Sequence, residues 1–318
     1  MALSSFFSER PSDLIRRSLL DIENLAREDL EWLLSRSQHH QPMQAEAVKK
    51  LNTLRGKTIV NLFFESSTRT RASFEIAAKR LDADTISISA QGSSLSKGET
   101  LVDTLNTLSA MRPDAIVMRH AASGAPHFLS RFLPTPIVNA GDGRHEHPTQ
   151  ALLDAITILD NKSSLDGLNV AIIGDIAHSR VARSNVHLLS KFGAKLVLCG
   201  PATMLSPNMA HLAERIRLTH NIEDAVTGAD VIMMLRVQLE RQNMLPFPKN
   251  EYFQFYGLGI EHLKLAKSDA IVMHPGPINR GRELSSEVAD FPRSMILNQV
   301  ENGVAVRMAV LERACGVS

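Results

Sequence analysis

"TIVNLFFESSTRTRASFEIAAKRL", residues 58–81, decides the fold, because a strand, a polar turn and a helix follow one another without a break. Thr58 to Phe64 is a β-branched and aromatic run of the length of a buried strand. FESSTRTR, residues 64–71, then sets four hydroxyl residues and two arginines at the strand exit. Phe74, Ala77, Ala78 and Leu81 recur at helical spacing and predict a helix over 71–81. The same alternation runs along the whole chain. Further strands are expected at 85–90, 115–120 and 135–140 in the first half, and at 169–175, 195–200, 217–220, 230–236 and 270–275 in the second. This pattern predicts an α/β fold of two domains, each a parallel sheet flanked by helices. PTQALLDAITILD, residues 148–160, lies between the two sets of strands and reads as a single helix, so a stiff helix joins the domains and suits a closing cleft. The polar segment QLERQNMLPFPKNEYFQFYG, residues 238–257, reads as a long mobile loop.

Length and composition narrow the function. A chain of 318 residues suits two domains of roughly 150 residues each. Apolar residues make up 44% and charged residues 22%, the balance of a soluble globular protein. Basic side chains exceed acidic ones by 35 − 34 = 1, which leaves no global field to recruit nucleic acid or an anionic membrane. No apolar stretch approaches the ~20 residues of a membrane span, and MALSSFFSERPSD is a poor secretory leader; a cytoplasmic location is expected. Cys199 and Cys315 alone build neither a disulfide framework nor a thiolate cluster.

In open parallel sheets, ligands sit beyond the carboxyl ends of the strands, so those residues carry the chemistry. After the first strand, Ser67, Thr68 and Thr70 add hydroxyls to the amide donors of a helix amino terminus, and the Arg69 guanidinium can grip two oxygens of one anion. Capping alone needs one hydroxyl. The loop QGSSLSKGET, residues 91–100, offers Ser93, Ser94 and Lys97 but reads equally as a solvated loop. Arg119 ends an apolar strand and is expected to face a cleft, whereas His120 caps or packs. In GDGRHEHPTQ, residues 141–150, His145, Glu146 and His147 invite a metal reading, but no H-E-x-x-H or cysteine pair completes a site, and no metal is expected. His147 as a donor to a carbonyl oxygen, with Gln150 one turn on and Pro148 opening the helix, uses the pattern better. GDIAHSR, residues 174–180, lacks the glycines of a dinucleotide fingerprint, so no nicotinamide cofactor is predicted. Arg180, Arg236 with Gln238, and the run His274-Pro275-Gly276-Pro277 complete the strand exits. Arginines at strand exits in both halves point to a substrate with several negative charges.

SSTRTR, KGET, MRH, HPTQALLD, GDIAHSRVARSN, LRVQ and HPGPINRG stand in the order and spacing of a known family. From about residue 10 to its end the chain resembles the aspartate carbamoyltransferase catalytic chains. The resemblance implies transfer of a carbamoyl group from carbamoyl phosphate to L-aspartate, an early step of pyrimidine synthesis, with no cofactor. It implies a carbamoyl-phosphate-binding domain over 1–147 plus a C-terminal helix, 303–318, that returns to it, and an aspartate-binding domain over 148–302. Ser67, Thr68, Arg69, Thr70 and Arg119 would hold the phosphate. Arg69, Thr70, Arg119 and His147 would be the catalytic set, with Thr70, Arg119 and His147 on the carbonyl oxygen. Gln150, Pro275, Gly276 and Pro277 would hold the carbamoyl amide. Arg180, Arg236, Gln238, Gly276 and Lys97 would bind aspartate. Relatives form homotrimers in which Lys97 and one serine, here Ser93 or Ser94, reach a neighbour's site. A regulatory chain or a dihydroorotase-like protein is a further partner the resemblance allows, and Arg307 matches an arginine near the phosphate end.

Overall fold

A computed structural model of the chain describes residues 17–89, 100–237 and 251–317. The chain divides into two compact units, one of residues 1–149 and 303–318, the other of residues 150–302.

The first unit holds a four-stranded parallel sheet: β1 (Thr58–Phe63), β2 (Asp84–Ser89), β3 (Ala115–His120) and β4 (Ile137–Asp142), in the order β2-β1-β3-β4. α1 (Arg27–His40), α2 (Thr68–Arg80), α3 (Leu101–Ala110) and α4 (Ala125–Ser130) belong to the same unit. Val60, Leu62, Ile116 and Met118 point to one face of the sheet and pack with Leu105 of α3 and Leu129 of α4. Strands β1, β3 and β4 are buried almost throughout, which is why parallel strands read as continuous apolar runs rather than alternating ones. β2 is the exception. It is an edge strand, exposed along much of its length, with Ile86 half uncovered.

α5 (Pro148–Lys162) leads into the second unit, a five-stranded parallel sheet of β5 (Asn169–Ile173), β6 (Lys195–Cys199), β7 (Ile216–Thr219), β8 (Val231–Met234) and β9 (Ile271–Met273), ordered β7-β6-β5-β8-β9. α6 (Arg180–Lys191), α7 (Ile222–Val226) and α8 (Glu251–Tyr256) join it. A separate core of Ile173, Ile232, Met234, Tyr252, Leu258 and Val272 stabilises this unit. α9 (Ile296–Ala314) carries the chain back. Both crossings of the chain between units therefore fall inside helices, α5 and α9.

Each expected strand is present, with ends shifted by at most two residues. Two expectations fail. Residues 251–256 form α8 rather than loop, since Tyr252 and Tyr256 bury their rings. The last helix begins at Ile296, not near 303, because Gly303 is accommodated inside it. Among the described residues no helix is long and apolar enough to cross a membrane.

Candidate active site

Strand order selects the functional ends of each sheet. In the first, β1 is flanked by β2 and β3, so successive connections leave in opposite directions and a crevice opens between the carboxyl ends of β1 and β3. Phe63 pairs with Arg119 there, and the Phe64 amide donates to the Arg119 carbonyl at 2.9 Å. The FESSTRTR turn and Arg119 thus issue from neighbouring strands at the switch point.

The turn gathers hydroxyl and guanidinium groups at a helix amino terminus. Ser67 is the residue before the first turn of α2, yet its side chain caps no amide; its hydroxyl donates instead to Thr70 Oγ1 at 3.0 Å. The first turn of α2 holds no acidic residue. It holds Arg69, exposed, and Arg71. A cation at a helix amino terminus opposes the macrodipole and costs about 0.3–1 kcal/mol, a cost an incoming anion would reverse. Thr70 is buried beneath, and Arg307 lies one turn along, its Nη1 donating to Ser73 Oγ at 2.9 Å while its guanidinium stacks 5.2 Å from the Phe74 ring. Arg119, only 8% exposed, donates from Nη2 to Glu65 at 2.8 Å and from Nη1 to the Ala140 carbonyl at 3.2 Å. His120 does what a helper does: its Nδ1 accepts from the Ala122 amide, its ring meets Phe64 edge-on, and burial pulls its pKa down.

The turn before α5 does not form a His-Glu-His chelate. Glu146 is fully buried and accepts from the amides of Ile22 at 2.9 Å and Glu23 at 3.1 Å. His145 pairs with Asp142. Asp142 also accepts from Gly124, Asn139 and Glu146. Burial works against its charge, but His145, Asn139 and Gly124 together hold its carboxyl below the usual range, and Asp142 in turn raises His145. His127 joins His145 and Asp142 with ligand-type atoms within 4.8 Å, but the Asp142 oxygens are already engaged. These two buried carboxylates, invisible as supports in the sequence, fix the loop that presents His147, itself 5% exposed, ahead of Pro148 at the start of α5.

The second unit repeats the device. Its switch point lies between β5 and β8, whose ends pair Ile173 with Met234. Arg180 follows β5 and opens α6, 95% buried, again with no acid in the first turn; Ser179 caps by accepting from Ala182 at 3.1 Å. Arg236 follows β8. Glu283, buried and with its pKa raised by burial, accepts from Val237 at 3.0 Å and from the Asn279 amide at 2.9 Å, tying the Arg236 segment to the loop after β9. In that loop Gly276 has φ +63°, the left-handed region that favours glycine, and the Gly276–Pro277 peptide is cis. Pro275 and Gly276 are half-buried and Pro277 is exposed. Gln150, 8% exposed, donates from Nε2 to Asp154 at 2.9 Å. Ser93, Ser94, Lys97 and Gln238 lie outside the described residues. A groove of about 640 Å³ lined by Asn169, Lys195, Arg215 and Arg217 sits at the opposite, amino ends of β5–β7, away from these arginines. Cys199 and Cys315 are buried and their thiols are pushed up to about 12, so neither serves as a nucleophile at neutral pH.

Two doubly wound parallel sheets, each with arginine at its switch point, define an α/β class of two-domain proteins whose ligand sites lie beyond the carboxyl ends of the strands. The sequence matches the aspartate/ornithine carbamoyltransferase carbamoyl-P binding domain over residues 17–160 and the Asp/Orn binding domain of the same family over residues 166–314. The chain belongs to the aspartate/ornithine carbamoyltransferase family, a family of enzymes. It is 74% identical, over 94% of this chain and 99% of the relative, to the aspartate carbamoyltransferase catalytic subunit of Solibacter usitatus. Its fold is similar to aspartate transcarbamoylase from Trypanosoma cruzi in complex with carbamoyl aspartate and phosphate, at TM-score 0.83 and 34% identity over 96% of this chain and 98% of that one. It is as similar to ornithine carbamoyltransferase from Pyrococcus furiosus, at TM-score 0.85 and 30% identity over 95% and 97%.

Proposed function

We propose that this chain is an aspartate carbamoyltransferase, transferring the carbamoyl group of carbamoyl phosphate to L-aspartate to give N-carbamoyl-L-aspartate and phosphate, an early step of pyrimidine synthesis. The 74% identity over nearly the whole of a relative bearing that name carries the reading. Fold similarity does not choose between aspartate and ornithine, since both kinds of relative superpose equally well. Charge does. Ornithine has a cationic side chain, and a site with arginines at both second-unit strand exits, Arg180 and Arg236, would repel it.

In this reading the first unit binds carbamoyl phosphate, with the α2 amino terminus, Ser67, Thr68, Arg69, Thr70 and Arg119 on the phosphate. The second binds aspartate, Arg180 on the α-carboxylate and Arg236 with Gln238 on the β-carboxylate. The aspartate amine attacks the carbonyl carbon, and negative charge grows on its oxygen. Donors from Thr70, Arg119 and His147 stabilise that charge, each worth on the order of 3 kcal/mol. The C–O bond to phosphate breaks, and the leaving phosphate accepts the amine proton. Holding two substrates in line supplies several kcal/mol more. The enzyme acts in the cytoplasm as a homotrimer, Lys97 with Ser93 or Ser94 completing a neighbour's site. The exposed edge strand β2 suits cover by a second copy. A regulatory chain or dihydroorotase-like partner would add to the trimer.

Incubation with carbamoyl phosphate plus aspartate, and separately plus ornithine, tests the reading. Carbamoyl aspartate is the expected product. Carbamoylation of ornithine alone, or binding without turnover, overturns it.

A further inference from the structure

Asp154 lies on α5 one helical turn after Gln150 and has no exposed surface. Three side-chain amides converge on it. Oδ1 accepts from Gln150 Nε2 at 2.9 Å and from Gln299 Nε2 at 2.7 Å, and Oδ2 accepts from Asn185 Nδ2 of α6 at 2.7 Å. The network continues past Gln299, whose Oε1 accepts from the backbone N–H of His274 at 2.9 Å, and His274 Nδ1 accepts from the Gly276 N–H at 2.8 Å. All of these residues belong to the second unit.

A carboxylate accepts and does not donate, so each carboxamide facing it must turn its nitrogen inward. For Gln150 this leaves Oε1 as the polar atom available to a ligand. For Gln299 it leaves Oε1 facing His274, which anchors the loop that runs through Pro275, Gly276 and Pro277. A carbamoyl group ends in NH₂ and needs acceptors; a flipped Gln150 would present NH₂ to NH₂.

We propose that Asp154 is a positioning residue that sets the acceptor polarity of the carbamoyl-amide site, fixing Gln150 Oε1 directly and the His274–Pro277 loop through Gln299. The inference rests on the reading that Gln150 and this loop hold the carbamoyl amide. Charge-assisted hydrogen bonds are roughly twice as strong as neutral ones, so Asp154 penalises the flip more than a neutral side chain would. Asn in its place has a donor and an acceptor end and no longer dictates which atom of Gln150 faces the ligand.

The experiment compares Asp154→Asn with the unmodified full chain for three ligands: carbamoyl phosphate, acetyl phosphate, which carries methyl in place of NH₂, and inorganic phosphate. Asp154→Asn should lose roughly 10- to 100-fold in kcat/KM for carbamoyl phosphate, while inhibition constants for acetyl phosphate and phosphate stay within about threefold, because only the NH₂-bearing ligand uses the acceptor. Parallel weakening of all three ligands, the mark of general damage, overturns the proposal, and so does an unchanged kcat/KM. If Asp154→Asn does not fold, Gln299→Met breaks the arm to His274 alone, and the same selective loss, smaller in size, is required of it. An unmodified chain that forms no carbamoyl aspartate sinks the reading of function; an active chain indifferent to Asp154→Asn and Gln299→Met sinks this inference alone.

Discussion

Arg69 stands in the first turn of α2, where its charge is unfavourable to the helix it belongs to. That unfavourable placement is the residue-level reason to propose that Arg69 meets an anion. Removing the guanidinium by Arg69→Ala should lower kcat/KM for carbamoyl phosphate by roughly 100- to 1000-fold, the scale of losing a charged group that acts on the transferring phosphate and carbonyl. Steady-state assay of the variant checks this. Arg236→Leu should act on the other substrate: KM for aspartate rises by roughly 100-fold while inhibition by inorganic phosphate is unchanged, as expected for loss of one charged hydrogen-bonded contact of about 2–3 kcal/mol. If phosphate inhibition weakens equally, Arg236 has another role. His120 shows the contrary case, a strand-end histidine absorbed by Ala122 and Phe64.

At the scale of elements, α2 and α6 are built alike, each following the first strand of its sheet and each holding arginine and no acid in its first turn. In the proposed function, anion binding and helix stability therefore conflict at both termini. Arg69→Glu replaces an opposed charge by a favoured one and should stabilise by about 0.5–2 kcal/mol, raising Tm by a few degrees while abolishing turnover. A thermal melt beside an assay reads both. A Tm that falls instead would mean that Arg69 already holds a structural partner worth more than the dipole term. The strands were legible because buried parallel strands are continuous apolar runs, as in Ala115–Met118 and Val231–Met234. α8 was not, since it is only 6 residues long and lies at the end of a segment read as polar loop, and Gly303 masked the true start of α9.

In the whole molecule, buried carboxylates with depressed pKa values cluster in the first unit. Asp21 is held down to about 2 from 3.8, because His127 and the Asn24 amide outweigh its burial; Glu312 is lowered by His40 and Arg36 against its burial, and Asp142 by His145. Their folded values lie below their unfolded ones, so the stability they contribute is present above pH 4.5 and is lost as pH falls toward about 2. In the second unit the buried Glu283 is shifted upward and gives no such support. Amide hydrogen exchange on lowering pH should therefore show the first unit losing protection before the second, and Asp21→Asn should flatten the acid limb. Simultaneous loss would place the acid-sensitive groups elsewhere. By itself the sequence determined the strands and the polar, arginine-bearing strand exits, because those follow from short-range periodicity and from residue types placed at the ends of apolar runs. Only the tertiary structure decided the strand order that makes β1/β3 and β5/β8 the switch points, and the supports Asp142, Glu146, Asp154 and Glu283. The reason is distance along the chain: Glu146 finds its amide 124 residues away and Asp154 its Gln299 partner 145 residues away, contacts that exist only once the sheets have formed and that leave no local pattern.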